Sequence, residues 1–456
     1  MRKVGWIILG LTFILMGASS VDEKETVESD LEQLWTADIG FTSYRTESVS
    51  FGDVICIGSN GRHFMDYALD EDNGIYLLNR KTGKIIHHFS GEQFGDMDVN
   101  GVLYHEGNIF FGNDNEEAMS VTQTGNVNWR INVAGDVEHQ PILIQNGKNP
   151  MVVFATETGQ VHAVHPKTGK TIWNYFVPDY KGWKPGDSRT VFKVKMYFHS
   201  GQRFFDEPAV LDLNNDGVQD LLYNHDYGSL LALDGKSGKQ IWTINSRINS
   251  KYSIYLGTQK PLIMGKGKDA RIVCPILGDY DEETNTTGKS GVAIFSSKGT
   301  LVSIQEYAES LGSPKLSQSD GVFMTSKALL LPDKNNTAVR IVPLENATAL
   351  DDEGDTYFRF PEAQIAKNQI QFNGEPCILV VLQYEQNNDL EQSPVLIIGT
   401  KTGKVHKKSY MPCTSEYTPE VMDANEDGML DVLIGGFNGK LYCFNLGISI
   451  DKLVKP

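Results

Sequence analysis

The chain of 456 residues has little cysteine. Its five cysteines are widely scattered and form neither a CxxC motif nor an adjacent pair; they are Cys56, Cys274, Cys377, Cys413 and Cys443. Zinc sites and dense disulfide frameworks need closely spaced cysteines, so neither is expected. One disulfide bridge within the last third of the chain is left as an alternative. Because the number of cysteines is odd, at least one thiol is unpaired or forms an intermolecular bond.

Positive charge is also in short supply. Lys and Arg number 41 against 58 Asp and Glu, which gives a net charge of −17. Because polyanions repel such a chain, we expect no nucleic acid and no anionic membrane surface as partner. The apolar run from Trp6 to Met16 is too short to span a bilayer, and no later segment is long enough, so we expect no membrane insertion.

Familiar catalytic motifs are missing. The sequence has neither the Gly-x-Ser-x-Gly of serine hydrolases nor the His-Glu-x-x-His of zinc proteases. Thr287 to Ser290 ends like a phosphate-binding loop, but Glu283 stands where that loop requires glycine. Adjacent histidines of strand-like segments, such as His87 and His88, point to opposite faces and join no carboxylate cluster. We therefore predict no catalytic and no cofactor-binding residue.

The first 20 residues are typical of a secretory signal peptide. Arg2 and Lys3 form a charged start, an apolar stretch follows, and Gly17 to Ser20 supplies small residues for cleavage. No cysteine lies at that point to carry a lipid anchor. The sequence predicts a secreted or periplasmic protein with a signal at 1–20, a short polar linker at 21–30 and one folded domain at 31–450.

Two stretches, Asp212 to Asp220 and Asp423 to Asp431, share the pattern Asp-x-Asn-x-Asp-Gly-x-x-Asp. Side-chain oxygens at positions 1, 3, 5 and 9 and a backbone carbonyl at position 7 are the hard ligands that Ca²⁺ prefers. An EF-hand is excluded, because its position 12 falls on Tyr223 and Ile434 inside strand-like segments. The predicted Ca²⁺ ligands are Asp212, Asn214, Asp216, Val218, Asp220, Asp423, Asn425, Asp427, Met429 and Asp431.

Calcium in these loops is expected to be structural. Three aspartates crowded into so short a stretch repel one another unless a cation neutralises them, so Ca²⁺ should stabilise the hairpins and take no part in chemistry.

A second pattern recurs along the chain: a strand, a turn of the type Lys-Thr-Gly-Lys, and a strand that often ends in Trp. The turn glycines are Gly83, Gly125, Gly169, Gly238, Gly299 and Gly403. Each copy predicts a β-hairpin, since alternating apolar residues form strands and glycine permits the positive φ of the turn. Trp129, Trp173 and Trp242 stand at equivalent places and are expected to pack between repeats.

A repeat of roughly 40 to 50 residues has the size of a four-stranded propeller blade. Six turns, one degenerate repeat near residues 320–350 and a closing blade predict an all-β fold with eight blades in a single ring. Seven blades stay open as the alternative. Leu31 to Trp35 reads as a final strand that completes the C-terminal blade, so the two ends of the chain should close the ring.

These motifs support a resemblance. The repeat from Gly228 to Trp242 resembles that of PQQ-like (quinoprotein alcohol dehydrogenase-like) propellers, and the acidic loops resemble the FG-GAP calcium repeats of integrin α-type propellers. The resemblance implies a propeller fold and, in the true dehydrogenases, pyrroloquinoline quinone held in the centre of the ring beside a Ca²⁺. This chain lacks the adjacent-cysteine disulfide of those enzymes, and the same repeat also builds propellers without activity.

Two classes of function follow. The first is an exported calcium-binding propeller, expected to be a monomer, that binds a protein or polysaccharide partner without catalysis. The second is an extracellular enzyme on the same ring, either a quinoprotein dehydrogenase or a calcium-dependent polysaccharide lyase using residues such as Lys193, Lys195 and Arg203.

The segment from Asn174 to Asp206 is the best candidate for a recognition surface. Aromatic and Arg side chains on a propeller loop are typical of contact with protein or glycan, although an ordinary outer strand and loop would also account for the segment. The candidate partner-binding residues are Tyr180, Trp183, Arg189, Tyr197, His199 and Arg203.

Overall fold

A computed structural model gives the fold of the protein. It describes residues 29–62, 72–90, 97–177, 188–191, 194–197, 204, 206–225, 229–249, 251–254, 260–265, 269–278, 280–281, 286–287, 289, 291–306, 317–319, 321–324, 328–333, 338–344, 363–382, 385–387 and 390–454. The predicted signal peptide and most of the linker lie outside these residues.

The described residues form eight antiparallel sheets in chain order, which are the blades of a β-propeller. Blades 1 to 4 each have four strands. Their bounds are β2 Val49–Phe51, β3 Val54–Asn60, β4 Asn73–Asn79 and β5 Ile85–Ser90; β6 Val102–His105, β7 Asn108–Asn113, β8 Glu117–Thr122 and β9 Val127–Asn132; β10 Ile142–Ile144, β11 Met151–Ala155, β12 Gln160–Val164 and β13 Thr171–Phe176; β16 Ala209–Leu211, β17 Asp220–His225, β18 Ser229–Leu233 and β19 Gln240–Ile244.

Blades 5 to 8 follow the same plan, except that the first strand of blades 5 and 7 is split in two. Their bounds are β20 Tyr252–Ile254, β21 Leu262–Met264, β22 Arg271–Gly278, β25 Gly291–Ser296 and β26 Leu301–Glu306; β27 Ser317–Ser319, β28 Val322–Met324, β29 Ala328–Pro332 and β30 Val339–Pro343; β31 Ala363–Ile365, β32 Ile370–Phe372, β33 Glu375–Leu382, β36 Pro394–Gly399 and β37 Val405–Tyr410; β38 Glu420–Met422, β39 Met429–Gly435, β40 Lys440–Ser449 and β1 Glu32–Asp38.

The prediction of eight blades is confirmed, and the degenerate repeat is blade 6. The closure of the ring is confirmed as well. Strand β1 pairs antiparallel with β40, with Trp35 opposite Cys443 and Asp38 opposite Lys440, so the N-terminal strand is the outermost strand of the C-terminal blade. A short 3-10 helix, Ile450–Lys452, follows β40.

The hydrophobic core lies between neighbouring blades. Ile75 and Phe111 belong to a buried cluster that joins blades 1 and 2, and similar clusters join each following pair up to blades 6 and 7. One continuous cluster covers blades 7, 8 and 1, with Val381, Phe444 and Ile57 among its members. Because the middle strands are covered on both sides, they read as continuous apolar runs rather than alternating ones.

The repeated tryptophans connect each blade to the next. Trp173 of blade 3 donates its Nε1–H to the carbonyl of Gly235 in blade 4 at 3.1 Å, and a Cβ at Gly238 would lie 2.4 Å from its ring. Trp129 and Trp242 make the same contacts one blade earlier and one blade later. The turn glycine therefore serves twice: its positive φ closes the hairpin, and its bare Cα admits the indole.

The antiparallel order assigns every connection to one of two faces. Connections from first to second and from third to fourth strands emerge on one side, which we call the turn face. Connections from second to third strands and from blade to blade emerge on the other, which we call the insertion face. Three additional hairpins lie there: β14 Ser188–Val191 with β15 Val194–Tyr197, β23 Tyr280–Asp281 with β24 Thr286–Thr287, and β34 Glu385–Asn387 with β35 Leu390–Gln392.

The five cysteines are free thiols, so the disulfide that the sequence left open does not form in this structure. Four are buried, and burial raises the pKa of the Cys377 and Cys413 thiols to about 11. The four buried cysteines are therefore unreactive residues of the hydrophobic core. Among the residues described, no helix has the length and hydrophobicity needed to cross a membrane.

Candidate functional site

The first acidic loop joins β16 to β17 on the turn face of blade 4. Both carboxylate oxygens of Asp212 accept backbone amides, from Asp216 at 3.2 Å and Gly217 at 3.0 Å. Asn214 and Asp216 accept further loop amides at 2.9 Å. This network fixes the loop in a tight coil in which the side chains bind the amides of the loop's own backbone.

The second acidic loop, between β38 and β39 of blade 8, repeats this geometry closely. Asp423 accepts the amides of Asp427 at 3.1 Å and Gly428 at 3.0 Å, and Asp427 accepts that of Met429 at 2.8 Å. Since blades 4 and 8 are four blades apart in a ring of eight, the two loops lie on opposite sides of the axis.

The last aspartate of each loop is fully buried, at 0% exposure. Asp220 accepts three backbone amides, from Leu213, Asn214 and Gly235, yet burial still raises its pKa. Burial, with the charges of Asp427 and Asp423, raises the pKa of Asp431 to about 6. Oδ2 of Asp431 accepts the amide of Ala424 at 2.8 Å, whereas its buried Oδ1 has no hydrogen-bond partner.

These residues fit a hard cation. A buried carboxylate oxygen without a donor, beside two further aspartates, is the electrostatic situation that a bound Ca²⁺ relieves. Within the described part of the chain, no three His, Cys, Asp or Glu side chains already lie close enough together to hold a metal ion. The three aspartates of each loop would therefore have to close around Ca²⁺, with Asn and main-chain oxygens completing the ligand set. The predicted ligands other than Asp, namely Asn214, Val218, Asn425 and Met429, are of this kind.

The candidate partner-binding residues are only partly within the described residues. Arg189 and Tyr197 lie on the hairpin of β14 and β15, where Tyr197 pairs with Ser188 and Arg189 with Met196. This hairpin emerges on the insertion face between blades 3 and 4. Tyr180, Trp183, His199 and Arg203 lie outside the described residues, as does Lys193.

The axis of the ring carries charged residues that the sequence reading missed. The first strands line the axis, because contacts between blades occur there. A β-bridge joins Glu47 to Gly101 of the next blade. The carboxylate of Glu420 in blade 8 accepts the backbone N–H of Ser48 in blade 1 at 2.9 Å and its hydroxyl at 2.6 Å. Lys367 of blade 7 forms an ion pair with Glu47 at 2.5 Å. Lys260 of blade 5 pairs with Glu207 of blade 4.

A third axial pair joins Arg45, ahead of blade 1, to Glu138, ahead of blade 3. Asn100 of the intervening segment also donates to Glu138, at 2.9 Å. These three axial cations, Arg45, Lys260 and Lys367, thus each have a carboxylate partner. Although burial lowers the pKa of Lys260, Glu207, Asp206 and Glu47 together raise it above the ordinary value, so the lysine stays charged.

The insertion face of blades 2 and 3 is acidic. Burial, followed by the charges of Asp136 and Glu138, raises the pKa of Glu157 to about 8. Burial and neighbouring carboxylates also raise the pKa of Asp114. The sequence offered one signal for this axial and acidic group: Glu47, Glu138, Glu207 and Glu420 stand shortly before or at the start of the first strand of their blades.

Part of the chain matches a known family. Residues 24–191 match the family model described as outer membrane protein assembly factor BamB. This region contains β1 to β14, and therefore blades 1 to 3 with the closing strand. No curated protein sequence matches the chain.

Solved structures with the same fold include both enzymes and proteins of other kinds. BamB from Moraxella catarrhalis is 13% identical, with 91% of this chain and 100% of that chain covered and a TM-score of 0.52. Sqt1 from Saccharomyces cerevisiae is 10% identical, with coverages of 91% and 99% and a TM-score of 0.53. Quinohemoprotein alcohol dehydrogenase ADHIIG from Pseudomonas putida HK5 is 13% identical, with coverages of 93% and 77% and a TM-score of 0.51. At such identities the likeness concerns the fold, and the fold of this chain is that of a PQQ-like β-propeller.

Proposed function

We propose that this protein is an exported, calcium-binding β-propeller that binds a protein or polysaccharide partner and catalyses no reaction. The observation that carries the proposal is the pairing of charges at the axis of the ring, where catalytic propellers of this type hold their cofactor. Arg45, Lys260 and Lys367 are each neutralised there by a glutamate. Arg45 is largely buried, Lys260 is half-buried and Lys367 is exposed. Cations that already have carboxylate partners are poorly placed to receive an anionic substrate or quinone, because a ligand would have to break these pairs.

The insertion face is the binding surface in this proposal. It carries the hairpin of β14 and β15, with Arg189 and Tyr197, and two further hairpins. Loops held by a rigid scaffold are the usual place for recognition. A protein partner is favoured because the family matched by the first three blades is described as an assembly factor for outer membrane proteins.

The two acidic loops hold Ca²⁺ on the opposite face. The ion would bind the side chains of Asp212, Asn214, Asp216 and Asp220, or those of Asp423, Asn425, Asp427 and Asp431, with the carbonyls of Val218 or Met429. Its role is to offset the repulsion of carboxylates within each hairpin. The unpartnered Oδ1 of Asp431 supports the assignment.

The calcium assignment is tested by thermal melting with and without EGTA. For sites of the extracellular type, with a Kd of roughly 0.1 mM, 1 mM free Ca²⁺ stabilises the folded chain by about 1.4 kcal/mol per site. Asp216→Ala and Asp427→Ala should each remove part of the effect. Asp269→Ala, exposed on the corresponding loop of blade 5, is the control and should retain all of it. A melting curve indifferent to EGTA would refute calcium binding.

The binding assignment is tested by replacing residues 178–203 with a short Gly-Ser linker. Binding is measured on a glycan array and by cross-linking to cell-envelope proteins. We expect loss of the bound partner with the melting temperature unchanged. Equal binding by the replaced and intact chains would remove this segment from the recognition surface.

The quinoprotein dehydrogenase is the second candidate, since the ADHIIG structure shares the fold. Adding pyrroloquinoline quinone with Ca²⁺ and recording the visible spectrum after gel filtration separates the two. We expect no bound chromophore, and a stoichiometric chromophore would favour the enzyme.

A further inference from the structure

The second acidic loop lies at the place where the ring closes. Blade 8 is built from β38, β39 and β40 at the C-terminal end and β1 at the N-terminal end, so only this blade depends on pairing between the two ends of the chain. We call the contact between blade 8 and blade 1 the seam. The loop contacts structures on both sides of it.

Arg80 connects the loop to blade 1. It lies on the turn between β4 and β5, and its Nη1 donates to the carbonyl of Asp423 at 3.1 Å while its Nη2 pairs with Glu426 at 2.7 Å. Lys81 pairs with the same glutamate. The carbonyl of Arg80 in turn accepts Nε1–H of Trp35, on β1, at 3.1 Å. One turn of blade 1 therefore contacts both the acidic loop and the closing strand.

The loop also contacts the strand onto which β1 pairs. The amide of Ile450, directly after β40, donates to the carbonyl of Gly428 at 2.9 Å. Met429 pairs with Ser449 at the end of β40. The loop thus contacts β40 and the turn of blade 1, and both of these contact β1.

The first acidic loop has contacts of another kind. Asn214 donates to Asp234 at 2.8 Å, and Gly235 donates to Asp220 at 3.0 Å, both within blade 4. At the position of Glu426 this loop has Asn215, and both residues have positive φ, 63° and 62°. Asparagine tolerates that backbone region far better than glutamate. The strained position in blade 8 therefore holds a side chain whose carboxylate reaches across the seam.

We propose that Ca²⁺ in the second loop locks the ring at its seam, an inference that rests on the proposed calcium binding. Ca²⁺ held by Asp423, Asp427 and Asp431 fixes the carbonyl of Asp423 and the carboxylate of Glu426 where Arg80 and Lys81 bind them. Loss of the ion frees the loop, weakens these contacts and lets β1 separate from β40. Ca²⁺ in the first loop stabilises blade 4 and its contact with blade 3, away from the seam.

Hydrogen exchange of the full chain, followed by mass spectrometry, tests the lock. Backbone amides of β1, Glu32–Asp38, should exchange about fivefold more slowly in 1 mM Ca²⁺ than in EGTA. In the double variant R80Q/K81Q the exchange rates of β1 in EGTA and in Ca²⁺ should be nearly equal, while titration calorimetry still finds the ion bound. The control Lys84→Gln removes one exposed charge from the same turn and should keep the full effect.

Asp216→Ala distinguishes the two loops. It should abolish binding at the first loop and leave the calcium effect on β1 intact, whereas Asp427→Ala should abolish that effect. If the chain binds two calcium ions but β1 exchanges at the same rate with and without Ca²⁺, the lock is refuted and calcium binding is not. A full calcium effect in R80Q/K81Q would also overturn it. If no calcium binds at all, the calcium part of the proposed function fails and the lock fails with it.

Discussion

Removal of the Trp173 side chain should weaken the ring between blades 3 and 4. The indole is 8% exposed, packs on the turn at Gly238 and donates its Nε1–H to Gly235 at 3.1 Å. Replacing a buried tryptophan by alanine destabilises a protein by about 3 to 5 kcal/mol, of which a hydrogen bond of this kind supplies about 1. Trp173→Ala should therefore lower the free energy of unfolding by about 4 kcal/mol, and Trp173→Phe by about 1 to 2.

Urea unfolding followed by circular dichroism measures the difference. With a slope near 3 kcal/mol per M urea, the expected loss in Trp173→Ala shifts the midpoint by about 1 M. Ile172→Ala is the matched control, because this neighbouring side chain on β13 is 45% exposed, and it should change the stability by less than about 0.5 kcal/mol.

The tryptophan also touches the first acidic loop indirectly. The carbonyl of Gly235 accepts the indole N–H of Trp173, and the amide N–H of Gly235 donates to the carboxylate of Asp220. Trp173→Ala should therefore also reduce the calcium stabilisation of blade 4, and Trp173→Phe should largely retain it. A Trp173→Ala midpoint equal to that of Ile172→Ala would refute the assignment of this residue to inter-blade packing.

Three further perturbations have definite expected outcomes. Since the folded pKa of Glu157 is raised to about 8, its ionisation opposes folding as the pH rises, so Glu157→Gln should match the native chain near pH 4 and melt at a higher temperature at pH 9. Gly169→Ala should destabilise by a few kcal/mol more than Gly147→Ala, because both have positive φ but a Cβ at Gly169 would lie 2.7 Å from the Trp129 ring while Gly147 faces open space. Lys260→Met should cost about 3 to 5 kcal/mol by leaving Glu207 unpaired, and Lys260→Met with Glu207→Leu should recover most of it; urea midpoints check both series.

Local pattern was enough to predict the blades. Each turn glycine indicated a hairpin, and Trp129, Trp173 and Trp242 indicated the contacts with the next blade. Even the degenerate blade 6 followed from the spacing between Gly299 and Gly403. The closing strand was predictable because β40 lacked an outer partner and Leu31 to Trp35 lacked a blade. These features depend on residues that are near one another in sequence or fixed by the repeat.

The axial ion pairs were not predictable in the same way. Glu47 and Lys367 are separated by 320 residues, and they meet only because the ring brings blades 1 and 7 together at the axis. Neither belongs to a motif. Arg80 is similar: its contact with Glu426 depends on which blades become neighbours when the ring closes. The acidic loops were predicted as motifs, but their different surroundings became visible only in the structure.

The measurement that bears most directly on the account is the number of calcium ions bound by each chain. The protein is freed of metal with EGTA, titrated with Ca²⁺ in a calorimeter, and compared with Asp216→Ala and Asp427→Ala. We predict two ions for the native chain and one for each variant. A native chain that binds no calcium would contradict the assignment of both acidic loops.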